Sequence, residues 1–261
     1  PTELERLQVL SALANTRNDD APLIVASAPA FVQKTASYQD FTATCHTVEP
    51  GMSVEPLDLL RRWEAMGYRV ESIVDVPGTI SRRGGIIDIY PPTGELPARL
   101  EFFGNTIDSI RLFDPANQRS VREVSSVAVG PATELLTPLQ SSKSELESLF
   151  GGIDLSGCNS EARQQFEQEL AMLSGRQRPG NMEFYAPLFN KDSILSYLPE
   201  NAILVLDEPQ SIKQAVEDLD AKADELRSGK LERGELPASF PRPYFIWEEL
   251  EAGLERRQCL T

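Results

Sequence analysis

The stretch PGTISRRGGIIDIYP, residues 77–91, contains the clearest local signals in the chain. Two arginines, Arg82 and Arg83, precede two glycines, and the alternating segment IIDIY follows. Gly84 and Gly85 permit backbone conformations that are closed to other residues, so the arginines are expected where a strand begins. Two interpretations are open: a β-bulge whose arginines point into water, or arginines that are placed for a specific partner.

Short segments that end at turn residues lie on both sides of that stretch, between residues 51 and 131. Apolar and polar residues alternate within them, and Gly, Pro or Asn follows at regular intervals. This pattern is typical of an antiparallel sheet in which each strand turns back on the one before. The predicted strands are residues 68–74, 86–90, 99–103, 107–113 and 121–129.

One helix is predicted to precede this sheet. Ser53 is placed as its N-cap, with Glu55 and Pro56 in the first turn. Gly67 follows as the C′ glycine that ends the helix. We therefore expect residues 51–131 to form a small α+β unit.

The flanking residues show the pattern of an α/β fold. Leucines at helical spacing, from residue 4 to residue 13, predict a first helix. Apolar segments at residues 22–27 and 202–206 predict strands that are buried on both faces. The first block is too small to close a core alone, so we expect it to pack on another part of the protein. Further helices are predicted over residues 142–150, 160–173, 185–198, 211–227 and 244–257.

Charge and residue types exclude several classes of function. The net charge of −15 repels nucleic-acid phosphates over most of the surface. Residues 51–131 are nearly neutral, with nine arginines, no lysine and eleven acidic residues, which suits specific arginine contacts. Three scattered cysteines and a single histidine, His46, cannot form a Cys/His zinc site. No apolar run reaches the roughly 20 residues of a membrane helix, so we expect a cytoplasmic protein without metal or other cofactor.

The segment PARLEFFG, residues 97–104, predicts a strand with two different faces. Alternation places Arg99 and Phe103 on one face, and Leu100 and Phe102 on the core face. An exposed aromatic side chain beside a guanidinium is a combination found at protein-interface hot spots. The alternative is that Phe103 folds under a neighbouring loop, and the alternation does not decide between the two.

An apolar segment that ends in Asp207 and Glu208 resembles the place where nucleotide hydrolases hold magnesium. No phosphate loop of the form GxxxxGK[ST] occurs in these residues. A single histidine without a motif around it also gives no Ser/His/Asp set. We therefore expect no ATP hydrolysis and no other catalysis by this chain.

Three motifs in the middle of the chain resemble the second domain of bacterial transcription-repair coupling factors. They are RGGIIDIYP at 83–91, PARLEFFG at 97–104 and IDSIRLFDP at 107–115, in matching order and spacing. The excision-repair helicase UvrB carries a related domain, but FDPANQRS at 113–120 is closer to the coupling factors. A weaker similarity continues from residue 182 to residue 208.

The resemblance implies a UvrB-like, amino-terminal module with an α/β fold. In that module a degenerate nucleotide-hydrolase-like core carries a smaller α+β domain with an antiparallel sheet. The implied division is residues 1–45 for part of domain 1A, 46–131 for domain 2 and 132–261 for domain 1B.

The resemblance also implies a partner. Coupling factors of this family use domain 2 to bind UvrA, the damage-recognition ATPase, and the family contacts fall on Arg83, Arg99 and Phe103. Arg82 is an additional candidate that the family pattern does not require. RNA polymerase and DNA are implied as partners only through other parts of the full-length protein. The alternatives are a fragment of a UvrB-type ATP-dependent helicase, which a phosphate loop upstream would favour, and a purely structural lid that does not bind UvrA.

Overall fold

The computed structural model describes residues 3–14, 22–136, 142–175, 177 and 179–260. The chain divides into two compact units, Pro1–Pro22 with Tyr38–Leu139 and Leu23–Ser37 with Gln140–Thr261. The predicted α/β class is confirmed, because both units combine helices with strands. The first 45 residues are divided between the two compact units. The division into three domains, with boundaries at residues 45 and 131, stays a prediction.

The helices and strands of the described residues follow in chain order. The α-helices are α1 (Glu3–Ala14), α2 (Ala28–Val32), α3 (Tyr38–Thr44), α4 (Pro56–Ala65), α5 (Lys143–Gly151), α6 (Ser160–Ser174), α7 (Ala186–Phe189), α8 (Pro209–Glu232) and α9 (Trp247–Leu254). The strands are β1 (His46–Val48), β2 (Arg69–Val70), β3 (Thr79–Arg83), β4 (Ile86–Tyr90), β5 (Ala98–Phe103), β6 (Thr106–Phe113), β7 (Ser120–Glu123), β8 (Val127–Val129), β9 (Ile203–Val205) and β10 (Gln258–Leu260). Two 3-10 turns lie at Met182–Tyr185 and Ile194–Tyr197.

A six-stranded sheet in the order β2-β3-β4-β5-β6-β7 dominates the first unit. The pairs from β3 to β7 are antiparallel, as predicted, whereas β2 joins β3 in parallel. One face of the sheet is apolar and packs in a common core with α4. The buried residues of this core include Leu59, Trp63, Ile80, Ile87, Ile89, Leu100 and Ile110. Burial of one face leaves the other face free for polar side chains.

The two arginines of the opening motif lie at the end of a strand, not at the entrance to one. Arg83 is the last residue of β3 and pairs with Ile86 of β4. Gly84 and Gly85 between them form a two-residue hairpin turn, in which Gly84 has φ +62°. Of the two interpretations left open, the β-bulge is not what the structure has, since the pairing of β3 with β4 is continuous up to the turn. The strand before the glycines was missed because TISRR contains few apolar residues, and its buried positions include Thr79 and Ser81.

Helix α4 begins two residues later than the sequence pattern indicated. Glu55, not Ser53, is the N-cap, and its carboxylate accepts a hydrogen bond from the backbone N–H of Asp58. Ser53 instead forms a β-bridge with Thr106 at the edge of the sheet. Gly67 has φ +95° just after the helix, so the predicted C′ glycine is confirmed.

A second, two-stranded antiparallel sheet joins β1 to β8. The predicted strand at residues 121–129 is therefore two strands, β7 in the large sheet and β8 in this small one. The helix α1, predicted from its leucines, is confirmed with three of them buried, Leu7, Leu10 and Leu13. It is held to the end of the unit by a bidentate ion pair between Arg6 and Glu134, with N···O distances of 2.7 and 2.9 Å.

The second unit is mostly helical. Helices α5 and α6 pack around an aromatic cluster that includes Phe166, Tyr185 and Phe240. The predicted continuous helix over residues 185–198 was wrong: α7 and a 3-10 turn occupy it, with a break at Asn190.

Two apolar segments in this unit were predicted as fully buried strands, and neither is. Residues 22–27 form no strand within the described chain, and Leu23 is 93% exposed. The segment at 202–206 does form β9, parallel to the unpredicted β10, yet Ile203 and Val205 are exposed. An apolar sequence pattern indicates that burial of the segment is favourable, but it does not show whether other residues of the chain bury it.

Candidate protein-docking site on the six-stranded sheet

The face of the large sheet opposite its core carries a row of polar side chains. Residues that pair directly across antiparallel strands point to the same face. The row consists of Ser81, Asp88, Arg99, Arg111 and Glu123, one from each of the strands β3 to β7. We call this surface the outer face, and the three predicted family contacts, Arg83, Arg99 and Phe103, lie on it.

Asp88 and Arg99 form the centre of the outer face. Arg99 Nε and Nη2 donate to the two carboxylate oxygens of Asp88, each at 2.8 Å. The guanidinium also lies over the ring of Phe113, 4.6 Å from its centroid. The hydrogen bonds with the Asp88 carboxylate raise the pKa of Arg99 above its ordinary value. Both side chains are largely shielded: that of Asp88 is 2% exposed and that of Arg99 is 16% exposed.

The loop between β6 and β7 covers this ion pair. Gln118 adopts a left-handed backbone with φ +63°, and its carbonyl oxygen accepts from Arg99 Nη1 at 3.4 Å. Its side-chain amide donates to the carbonyl oxygens of Val74 and Pro115. Gln118 belongs to the FDPANQRS motif, so this segment supplies the cover for Arg99. The sequence led us to expect Arg83, Arg99 and Phe103 in one solvent-exposed patch, and for Arg99 this was wrong, because its side chain is largely covered. Alternation along β5 gives no information on a loop that follows another strand.

Arg83 is the more accessible arginine of the pair. Its side chain is 59% exposed, and its Nη2 lies 3.5 Å from Oδ2 of Asp88. The neighbouring Arg82 pairs with Ile87, and successive residues of a strand point to opposite faces. Arg82 therefore does not belong to the outer face.

Phe103 lies at the last position of β5 and is 84% exposed. The irregularity between Glu101 and Phe102 leaves Asp108 of β6 unpaired, so β5 keeps its alternation through to its end. Phe102 packs against the core and Phe103 shares the outer face with Arg99. Among the two interpretations left open by the sequence, the structure favours the exposed aromatic side chain.

The hairpin tip that carries Phe103 is braced by the segment before α4. Val54 N–H donates to the carbonyl oxygen of Asn105 at 2.7 Å. Gly51 N–H donates to the carbonyl oxygen of Ile107, and the N–H of Ile107 donates to the carbonyl oxygen of Met52. Nothing in the sequence pattern of residues 51–54 predicted this support, since it was assigned to a helix start.

Arg111 and Glu101 form a second, weaker pair on the outer face. Their closest N and O atoms are 3.6 Å apart and both side chains are partly exposed. Glu101 also accepts from Ser109 Oγ at 3.0 Å. By contrast, Asp88 places one negative charge between two arginines, so that cluster carries a net positive charge.

No group of three or more His, Cys, Asp or Glu side chains that could hold a metal ion occurs in the part of the chain that the structure describes. Asp207 and Glu208 follow β9 at the start of α8, where Glu208 accepts a hydrogen bond from Ser211. Within the described ranges, no helix is both long and apolar enough to span a bilayer.

Comparisons with known proteins agree on one family. Residues 47–135 match the family model described as the UvrB interaction domain. The transcription-repair-coupling factor of Bacillus subtilis (strain 168) is 32% identical over 240 residues, which is 88% of this chain and 20% of that protein. The transcription-repair-coupling factor of Myxococcus xanthus is 39% identical over 115 residues, 44% of this chain and 10% of that protein. The one from Staphylococcus aureus (strain USA300) is 32% identical over 200 residues, 72% of this chain and 17% of that protein. The chain spans a fifth of the length of these curated relatives or less.

Proposed function

Because the chain belongs to the transcription-repair coupling factor family, we propose that it is a protein-binding module that recruits UvrA to stalled RNA polymerase in nucleotide excision repair. The docking surface is the outer face of the six-stranded sheet, with Arg83, Arg99 and Phe103 as its contact residues. The exposure of Phe103 on a braced hairpin tip is the observation that carries this proposal.

An exposed phenylalanine on a rigid support is suited to binding a protein. Phe103 presents a large apolar surface to water, and its transfer into a partner's pocket is favourable by about 2 kcal/mol. Since the tip is already fixed by hydrogen bonds to residues 51–54, little ordering is needed when the ring is bound. Phe103 is therefore the expected hot spot of the surface.

The arginines supply the polar part of the same surface. Arg83 keeps hydrogen-bond donors directed to solvent, because its contact with Asp88 is long and its side chain is mostly exposed. Arg99 is shielded, and a partner group reaches only the rim of its guanidinium. A carboxylate-bearing partner surface with an apolar pocket fits this combination.

We assign no catalytic role to this module. The remaining four-fifths of the family proteins would supply the contacts with RNA polymerase and DNA. Asp207 and Glu208 would not hydrolyse ATP, because these residues contain no phosphate loop to bind its phosphates.

Isothermal titration of purified UvrA into the chain tests the proposal. We expect saturable binding with a dissociation constant in the micromolar range or tighter, about −8 kcal/mol. Absence of binding by the folded chain would favour a purely structural lid. A second titration, of Mg-ATP into the chain alone, should give no heat, and micromolar ATP binding would instead favour a UvrB-type helicase fragment.

A further inference from the structure

Asp88 differs from the other charged residues of the outer face because its carboxylate is almost fully buried. Both of its oxygens accept hydrogen bonds from Arg99. One arginine in this geometry already neutralises a buried carboxylate. A second guanidinium, that of Arg83, nevertheless lies 3.5 Å from Oδ2. The Arg83 contact therefore goes beyond what neutralisation of Asp88 requires.

We propose that Asp88 is a positioning residue for docking: fixed by Arg99, its carboxylate sets the direction in which Arg83 meets an acidic group of the partner. This inference rests on the proposed docking of UvrA to the same face. Arg99 then contributes to docking in two ways: it is a contact residue itself, and it holds the carboxylate that directs Arg83.

The contact between Arg83 and Asp88 follows from the pairing register of β3 and β4. Arg83 pairs with Ile86 and Asp88 pairs with Ser81, so Arg83 and Asp88 are diagonal neighbours on one face. Long side chains span the distance between diagonal neighbours.

A positioning role and a simple charge effect predict opposite results when Asp88 is neutralised. If only the net charge of the face mattered, Asp88→Asn would tighten binding to an acidic partner, because a competing carboxylate is removed. If Asp88 positions Arg83, the same substitution weakens binding, because Arg83 becomes free to take other rotamers. The sign of the change separates the two explanations.

The binding experiment measures UvrA affinity for the chain and for four variants at a temperature well below unfolding. Asp88→Asn should weaken binding by about fivefold. Glu123→Gln, which removes one negative charge from the same row three strands further on, should not weaken it. In an Arg83→Ala background, Asp88→Asn should weaken binding less than it does in the chain itself, since the residue it positions is gone and only the contact with Arg99 is lost. Tighter binding by Asp88→Asn, or an undiminished effect in the Arg83→Ala background, overturns the proposal.

A measurement without UvrA distinguishes failure of this inference from failure of the proposed function. Nitrogen-15 relaxation of the Arg83 Nε–H group should report an ordered side chain in the chain itself and a mobile one in Asp88→Asn. Glu123→Gln should leave the Arg83 signal unchanged. If Arg83 is ordered but UvrA does not bind, the proposed function fails while the positioning contact stands. If Arg83 is equally mobile in the chain and in Asp88→Asn, the inference fails whatever UvrA does.

A second variant covers the case in which Asp88→Asn does not fold. Arg99→Lys keeps the positive charge but cannot donate from two nitrogens in a fixed plane, so the Asp88 carboxylate is less firmly held. We expect Arg99→Lys to lower the order of the Arg83 Nε–H group and to weaken UvrA binding by a few-fold. Unchanged order of Arg83 in this variant would contradict the proposal.

Discussion

Arg99 on β5 binds both carboxylate oxygens of Asp88, the residue directly opposite on β4, with N···O distances of 2.8 Å. The pair is enclosed between the sheet and the loop that carries Gln118. An ion pair so shielded is strongly coupled, and loss of one partner leaves an uncompensated charge. Arg99 is therefore part of the framework of the sheet as well as of the proposed docking surface.

Arg99→Ala is expected to destabilise the chain. Asp88 would remain buried with only the long contact of the mostly exposed Arg83 to balance its charge, at a cost of about 3 kcal/mol. Urea denaturation followed by circular dichroism measures this change in the free energy of unfolding. The matched control is Arg111→Ala on the same face, whose 3.6 Å pair with Glu101 is partly exposed and should contribute less than about 1 kcal/mol. Equal stabilities for the two variants would contradict the structural role of Arg99.

Phe103→Ala is expected to separate binding from stability. The ring is exposed, so its removal leaves no cavity, and the free energy of unfolding should hardly change. Loss of a hot-spot side chain costs about 2 kcal/mol or more in binding, roughly thirtyfold in affinity for UvrA.

The control for Phe103 is Val121→Ala, which removes an exposed apolar side chain from β7, at the edge of the same sheet. It should leave the affinity for UvrA unchanged. Titration with UvrA and thermal unfolding are measured for both variants. If Phe103→Ala binds UvrA with normal affinity, or if the variant does not fold, Phe103 is not an exposed contact residue of the docking surface.

Gly67→Ala is expected to destabilise the first unit more than Gly51→Ala does, although both glycines have a similar positive φ. Gly67 has φ +95°, and a Cβ there would lie 2.4 Å from Cγ2 of Thr133. Backbone strain and the clash together should cost about 3 kcal/mol. Gly51 has φ +87° but open space around its Cβ position, so Gly51→Ala should cost about 1 kcal/mol from backbone strain alone. Similar midpoints of urea unfolding for both variants would show that Thr133 moves aside.

The stability of the chain should fall as the pH drops below about 6.5. His46 Nδ1–H donates to the carbonyl oxygen of Thr44, and Nε2 accepts from Trp63 Nε1–H, so the ring is held neutral. Burial lowers the pKa of His46 below its ordinary value. The stabilisation is complete above the unfolded-state pKa and is lost as the pH falls towards the folded-state pKa.

Urea unfolding at pH values of about 7.5 and 5.5 measures this dependence. Since the chain has one histidine, His46→Gln serves as the control, and its midpoint should change much less between the two pH values. A wild-type midpoint that does not move would mean that the hydrogen bond from Trp63 does not constrain the protonation of His46.

The strands β4 and β5 were predictable because each has one buried face. Ile86–Tyr90 and Ala98–Phe103 alternate apolar and polar residues, and a half-buried strand requires that period. The segment Thr79–Arg83 was missed because its buried positions include Thr79 and Ser81, whose hydroxyl groups form hydrogen bonds with nearby carbonyl oxygens. Buried polar residues that hydrogen-bond to nearby carbonyl oxygens do not produce the alternation of apolar and polar residues from which a strand is predicted.

For the candidate site, alternation along β5 was enough to place Arg99 and Phe103 on one face, because side-chain direction follows from position in a strand. The same reasoning did not give their exposure. Arg99 is covered by Gln118, 19 residues later in the chain, whereas Phe103 is left open.

The sequence by itself determined the α/β class, the antiparallel order of the middle strands and the face on which the predicted contact residues lie, since these depend on local periodicity and turn chemistry. Only the tertiary structure decided that Asp88 joins Arg83 and Arg99, that residues 51–54 brace the Phe103 hairpin, and that the side chains of Leu23, Ile203 and Val205 are exposed. These features depend on contacts between segments that are far apart in the sequence. Such contacts do not produce a periodic pattern of apolar and polar residues along the chain.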